Sequence, residues 1–211
     1  MLPINPISIT EISDSKLEFP KEYNIKLNIA IKMFVQKLTD KGQSVEYYEK
    51  KRNAPLNKVE NDMFLGKKTE FFAAFDLFKN YGFPWLKPDL TIYPPGKKGW
   101  DADLPYHKLD SQLPDVHVKG CSRETCNFCN DYSWTFQYKN NDNLFGRDKI
   151  FLTPNNYDLV SLVFMETIQE NKAVIKAILP LPILKKYLKP PIKQNIRDMK
   201  KCIYYNDLIR S

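Results

Sequence analysis

The spacing of apolar residues changes along the chain from helical to alternating and back. Between Lys21 and Leu38 the apolar residues Ile25, Ile29 and Met33, with Ala30, Phe34 and Leu38, recur at helical spacing, and Lys41-Gly42 follows as a stop. The preceding residues 1–20 contain prolines and little pattern, which reads as an irregular arm. Gln43 to Arg52 reads as a short polar helix, closed by Ala54-Pro55. A longer helix is expected from Asn57, where Asn57-Lys58-Val59-Glu60 approximates a capping box, to about Tyr81-Gly82. On it Met63, Glu70, Ala73, Ala74 and Leu77 share one face, and Phe71, Phe75 and Phe78 form the neighbouring one.

From residue 88 the pattern becomes extended. Pro88 to Tyr93 and Gly99 to Leu104 read as two short strands joined by Pro94-Pro95-Gly96-Lys97-Lys98-Gly99, and Leu113 to Gly120 as a third. Ser133 to Tyr138 alternates like a fourth. Tyr157 to Thr167 and Ala173 to Leu181 are almost continuously apolar, as buried strands are, with a hairpin across Gln169-Glu170-Asn171. Leu181-Pro182 opens a short basic helix, Lys189-Pro190-Pro191 breaks it, and Ile192 to Cys202 forms a second basic stretch. These elements predict an α/β fold, a central mixed β-sheet flanked by helices. The 211 residues suffice for one core, so a single domain is expected: a helical part over 1–56, a core over 57–170 and a basic segment over 171–211.

Composition narrows the classes. An apolar fraction of 43% with 13% aromatics excludes a disordered chain. There is no apolar run long enough to span a bilayer and no signal-peptide pattern, so no membrane partner and an intracellular (cytoplasmic) location are expected. The net charge of +7 is unevenly placed: Lys172 to Ser211 carries ten Lys or Arg against Asp198 and Asp207, leaving the rest close to neutral. A basic segment holding Lys185, Lys186, Lys193, Arg197 and Lys200 suits a polyanion such as nucleic acid, because each phosphate neutralised releases a counterion. A solvated helix face is the other use of such charge.

The candidate chemistry lies on the third strand. Asp115, His117 and Lys119 would share one face while Val116 and Val118 enter a core. Asp101 and Asp103 would share a face of the preceding strand. Glu70, in or beside a buried helical stripe, should meet a cation or a metal or else rise in pKa, unless it lies at the stripe's edge and reaches water or pairs with Lys67. Cys121, Cys126 and Cys129 offer three thiolates within nine residues, a spacing open to structural zinc or to free thiols. A fourth zinc ligand would be His107, His117 or Cys202, and zinc there would pin the loop that leaves the strand.

A core helix bearing Glu70, a strand bearing Asp103 and a following strand ending in His117-Val118-Lys119 resemble, over about residues 57–138, the PD-(D/E)XK nuclease superfamily, with its restriction-endonuclease-like core. The resemblance implies a Mg²⁺- or Mn²⁺-dependent endonuclease, restriction-type, hydrolysing phosphodiester bonds in DNA. Asp103, with Asp101 as stand-in, and Glu70 would hold metal, and Lys119 would orient or activate the attacking water. Gln137, beside Trp134 on the next strand, matches a glutamine that touches the scissile phosphate in many members. The chain departs from the pattern at His117, where Asp or Glu is expected; imidazole is a ligand or base, and a poorer partner for hard Mg²⁺ than carboxylate. Pro88-Asp89 and Pro114-Asp115 repeat the Pro-Asp dipeptide, which is common in turns. A homodimer would let such an enzyme cut both strands. The alternative is a zinc-knuckle nucleic-acid-binding protein without catalysis.

Overall fold

The computed structural model describes residues 15–40, 55–92, 102–123, 130–139, 148–151, 157–167 and 169–210. Its centre is a four-stranded mixed sheet, ordered β1 (Ser15–Glu18), β5 (Lys172–Pro180), β4 (Leu159–Met165) and β2 (Val116–Ser122). β1 is antiparallel to β5, β5 to β4, and β4 runs parallel to β2. All seven residues of β4 are buried, as a run apolar at every position but Ser161 requires of a strand covered on both faces. A separate antiparallel ribbon pairs β3 (Ser133–Gln137) with β6 (Lys200–Tyr204).

Helices α1 (Lys21–Asp40) and α2 (Leu56–Tyr81) cover one face of the sheet. There Leu27, Ile31 and Val35 of α1 and Phe71, Phe72 and Leu77 of α2 pack with Val116, Val118, Val163 and Ile175. On the other face the β3–β6 ribbon, with the short helices α3 (Leu181–Lys186) and α4 (Tyr205–Ile209), closes a second core around Trp134, Phe136, Cys121, Val160, Leu162 and Ile203. The Trp134 indole N–H donates to the Val163 carbonyl at 3.0 Å, so the ribbon is tied to the central strand by a buried bond. A bulge opposite Leu162 and Val163 leaves Lys176 of β5 outside the ladder, and its ammonium lies 4.1 Å and 4.7 Å from the Tyr132 and Tyr205 ring centroids.

The α/β architecture, α1, α2, the β4–β5 hairpin and the break after α3 are as the pattern predicts. Four expectations are corrected. The arm over 1–20 ends in strand β1, which β5 recruits as a sheet edge. Helix α2 starts at Leu56 with Pro55 as its cap; Asn57 is already helical, and its Oδ1 meets the Lys58 N–H at 2.8 Å. The Ile25-Ile29-Met33 stripe faces outward, each residue about half exposed, because Leu27, Ile31 and Val35 take the inner face. Residues 83–92 form no strand: Pro84 and Pro88 remove ladder donors, and the Asp89 carboxylate folds onto the Thr91 N–H at 2.9 Å in a local turn. Ser133–Gln137 is a strand as expected; its partner, Lys200–Tyr204 in a ribbon apart from the main sheet, is one that local pattern cannot reveal. The polar stretch 43–52 lies outside the described residues. Among the described residues no helix is long and apolar enough to cross a membrane.

Candidate active site

β2 occupies the end of the sheet, with β4 on one side only. Its other side is met by Leu104, which exchanges both backbone hydrogen bonds with Val116 at 3.0 Å. Among the described residues this is the one backbone pair between the Leu104 segment and β2. In the register it sets, Asp103 stands opposite His117. The next donor on that edge, the Val118 N–H, is taken by Asp103 Oδ2 at 2.8 Å instead of by a backbone carbonyl. The carboxylate thus lies against the strand between the residues that flank Val118, with Oδ1 making no hydrogen bond among the described residues.

The two faces of β2 are assigned by contact. Val116 and Val118 enter the helical core, and a Cβ at Gly120 would meet Thr69 of α2, whereas Cys121 belongs to the second core. Alternation puts His117 and Lys119 with Cys121, away from α2. Lys119 Nζ bonds both oxygens of Asp148, at 2.9 and 3.0 Å, and stands 5.3 Å from the Phe136 ring centroid. Asp148 in turn accepts the Gln137 N–H at 2.6 Å and donates its own N–H to the Gln137 carbonyl at 2.8 Å. The lysine, about a quarter exposed, is therefore held to the end of β3 by one carboxylate. His117 is buried at 6% exposure, and its Nε2 is 3.4 Å from Asp158 Oδ2, at the outer limit of a hydrogen bond.

A second His-Asp pair sits at the start of the strand. The His107 Nδ1 lies 2.7 Å from both Asp115 oxygens, and the His107 N–H meets Oδ1 at 3.1 Å. Asp115 is thus spent on the turn that precedes β2 and does not join Lys119.

Of the expected site residues, His117 and Lys119 project from one face of β2, held by Asp158 and Asp148, and Asp103 caps the Val118 N–H between them. Glu70 is buried and takes the Lys67 ammonium at 2.8 Å, with that ammonium 5.8 Å from the Phe34 ring of α1. Its helix covers the sheet face opposite Lys119, and pairing with Lys67 is the outcome the sequence offered as its alternative. Asp101, Cys126 and Cys129 lie outside the described residues. Cys121 is buried in the second core at the far end of β2 from His107, roughly 20 Å along an extended strand, and four residues or about 13 Å from His117. Neither histidine reaches it to complete a zinc site, whose ligand atoms must all lie within about 2.3 Å of the metal. Among the described residues no group of three His, Cys, Asp or Glu side chains is arranged to hold a metal ion.

Asp148 and Asp158 are the site residues that sequence reasoning missed. Asp158 stands one residue before β4, and parallel pairing with β2 brings it to His117; a carboxylate opening a largely apolar strand was the available signal. Asp148 carried none, since its partner is fixed only by the tertiary packing of β3. The basic segment disperses. Lys185 and Lys186 end α3, while exposed Lys193 and Arg197 flank the turn before β6, and Arg197 Nε donates to the Pro191 carbonyl at 2.8 Å. Lys200 pairs in register with Gln137, the residue whose N–H holds Asp148. Comparison with protein-family models, curated proteins and solved structures found no match.

Proposed function

We propose that this chain is a metal-dependent DNA endonuclease of restriction type, with Asp103, His117 and Lys119 at its centre. The observation that carries the reading is Asp103 Oδ2 seated on the Val118 N–H at 2.8 Å, which brings a carboxylate against the backbone between His117 and Lys119. The donor set fits Mg²⁺ or Mn²⁺ in a limited sense. Mg²⁺ usually keeps several waters and takes one or two carboxylates plus substrate phosphate oxygens, so Asp103 with a bound phosphodiester can satisfy it without a three-carboxylate cage. When bound, such an ion supplies a Lewis acid for the phosphoryl oxygen and lowers the pKa of a coordinated water.

The chain's own groups do the rest. Lys119 Nζ, fixed by Asp148, offers a positioned cation to the charge that builds on phosphorus. His117, braced by Asp158, stands where the register puts Asp103 opposite it and is the neighbouring proton acceptor. Lys200 across from Gln137, with Lys193 and Arg197, supports a backbone track beside that centre. A second reading, a nucleic-acid-binding protein without catalysis, is favoured by the Lys119–Asp148 pair, which satisfies the lysine without any substrate.

The deciding experiment incubates plasmid and single-stranded DNA with the protein, with and without Mg²⁺ or Mn²⁺, alongside Lys119→Ala and Asp103→Asn. Metal-dependent cutting that both variants abolish, with binding retained, supports the nuclease. Salt-sensitive binding without cutting in any arm selects the binder.

A further inference from the structure

Helix α1 is apolar on two faces. Leu27, Ile31 and Val35 fill the inner one, while Ile25, Ile29 and Met33, spaced i, i+4 and i+8, are 51%, 53% and 52% exposed on the outer. Among the described residues no other helix lines up three exposed large apolar side chains. A helix apolar on both sides is the mark of one that packs on both sides.

We propose that the outer stripe is a self-association surface whose occupant is the same helix of a second copy, packed antiparallel about a two-fold axis at Ile29. The sequence of α1 is suited to that operation. Turning the helix end for end about Ile29 exchanges positions 25 and 33, so Ile25 of each copy meets Met33 of the other. At about 100° per residue, Glu22 lies roughly 20° to one side of the stripe and Lys37 roughly 80° to the same side. The two-fold therefore brings Glu22 of one copy beside Lys37 of the other, twice. Neither side chain has an ion-pair partner within its own chain among the described residues. Lys26 and Lys32 fall about 60° to opposite sides, so the axis keeps them apart. Parallel packing would instead leave Glu22 and Lys37 about 22 Å apart along the axis, so that neither gains its partner. A contact along one 20-residue helix buries less than the roughly 1,200 Å² of a standard interface, so the dimer should be of micromolar strength.

This inference stands whether or not the chain cuts DNA. It is tested by sedimentation equilibrium of the full chain from micromolar to hundreds of micromolar, with circular dichroism to confirm that each variant is folded. The expected result is a monomer–dimer equilibrium that Ile29→Glu weakens by at least ~100-fold. Glu22→Lys and Lys37→Glu should each weaken it several-fold, and the two together should restore it, a rescue only the antiparallel register gives. Ile29→Cys should also form a disulfide-linked dimer across the axis. A wild-type chain that stays monomeric over the whole range, or a dimer indifferent to Ile29→Glu, overturns the proposal. So does a folded Ile29→Glu chain whose monomer is strongly destabilised, because the stripe would then be covered within its own chain.

Discussion

Gly120→Ala tests the facing of β2 on which the candidate site depends. A Cβ at this position would stand 2.7 Å from Thr69 Cγ2, 3.0 Å from Oγ1 and 3.3 Å from Cβ. Methyl carbons rest at about 3.5–4.0 Å, so α2 must retreat from β2 by several tenths of an ångström or Thr69 must leave its rotamer. Thr69 is not free to turn, because its hydroxyl donates to the Gly66 carbonyl at 2.8 Å and the residue is buried. Overpacking of this kind costs about 1–3 kcal/mol, and the lower chain entropy of alanine in the unfolded state returns about 0.4–1 kcal/mol. The expected net loss is about 1–2 kcal/mol, read as a shift of urea midpoint at unchanged slope. Thr69→Ala removes both close atoms, so the double variant should recover much of that loss, with a coupling of about 1 kcal/mol. A neutral or stabilised Gly120→Ala, or two effects that simply add, would refute the assignment of Gly120 to the helical face and with it the turning of Lys119 to the other.

Lys68 is fully buried, with its ammonium donating to the Glu170 carbonyl, and burial lowers its pKa to about 8 against a weaker upward pull from the Glu170 charge. Since the unfolded chain binds the extra proton between pH 8 and 10.5, stability should rise with pH across that window. Lys68→Met should accordingly stabilise the protein by about 1–2 kcal/mol at pH 7, after discounting for solvent screening, and the gain should fade towards pH 10; a variant less stable than wild type at neutral pH would contradict this. If DNA follows the ribbon, Lys200→Ala and Arg197→Ala should each lower the slope of log affinity against log salt by about 0.9 without changing sequence preference, and an unchanged slope in fluorescence anisotropy titrations would remove that path.

What could be read from the chain followed the range of the interactions. The helices α1 and α2 and the strands β2, β4 and β5 were legible because hydrophobic period and punctuation are local. The facing of α1 was not, since two stripes of equal spacing, Ile25-Ile29-Met33 and Leu27-Ile31-Val35, compete and only packing chooses between them. That Asp103 would lie beside the strand of His117 and Lys119 was legible because the two segments are close in sequence, and Leu104 bridges Val116. Their carboxylate partners were not: Asp158 arrives by parallel pairing across 41 residues and Asp148 by the docking of a ribbon whose second strand begins at Lys200. Glu70 illustrates the converse: it was expected to hold metal, with Lys67 as the alternative partner, and it pairs with Lys67 three residues away.

The two proposals together constrain how DNA would be cut. α1 lies with α2 on one face of the sheet, and Lys119 with its Asp148 partner lies on the other. A two-fold at Ile29 therefore sets the helical layers of the two copies back to back and turns both Lys119 faces outward. Each copy interposes a sheet and a helical layer, about 10 Å apiece, so the two centres are separated by roughly 40 Å. That exceeds the major groove, about 12 Å wide, several-fold, and the centres point away from each other. One dimer then cannot address both strands of a duplex at one place, contrary to the usual reason for expecting a dimeric nuclease; it would hold two duplex segments and break one strand of each. Supercoiled plasmid should pass through a nicked-circle stage before linear product appears. In a time course with Mg²⁺, linear DNA arising directly from supercoiled, with no nicked intermediate and no loss of rate in Ile29→Glu, would show that the cutting unit is not this dimer.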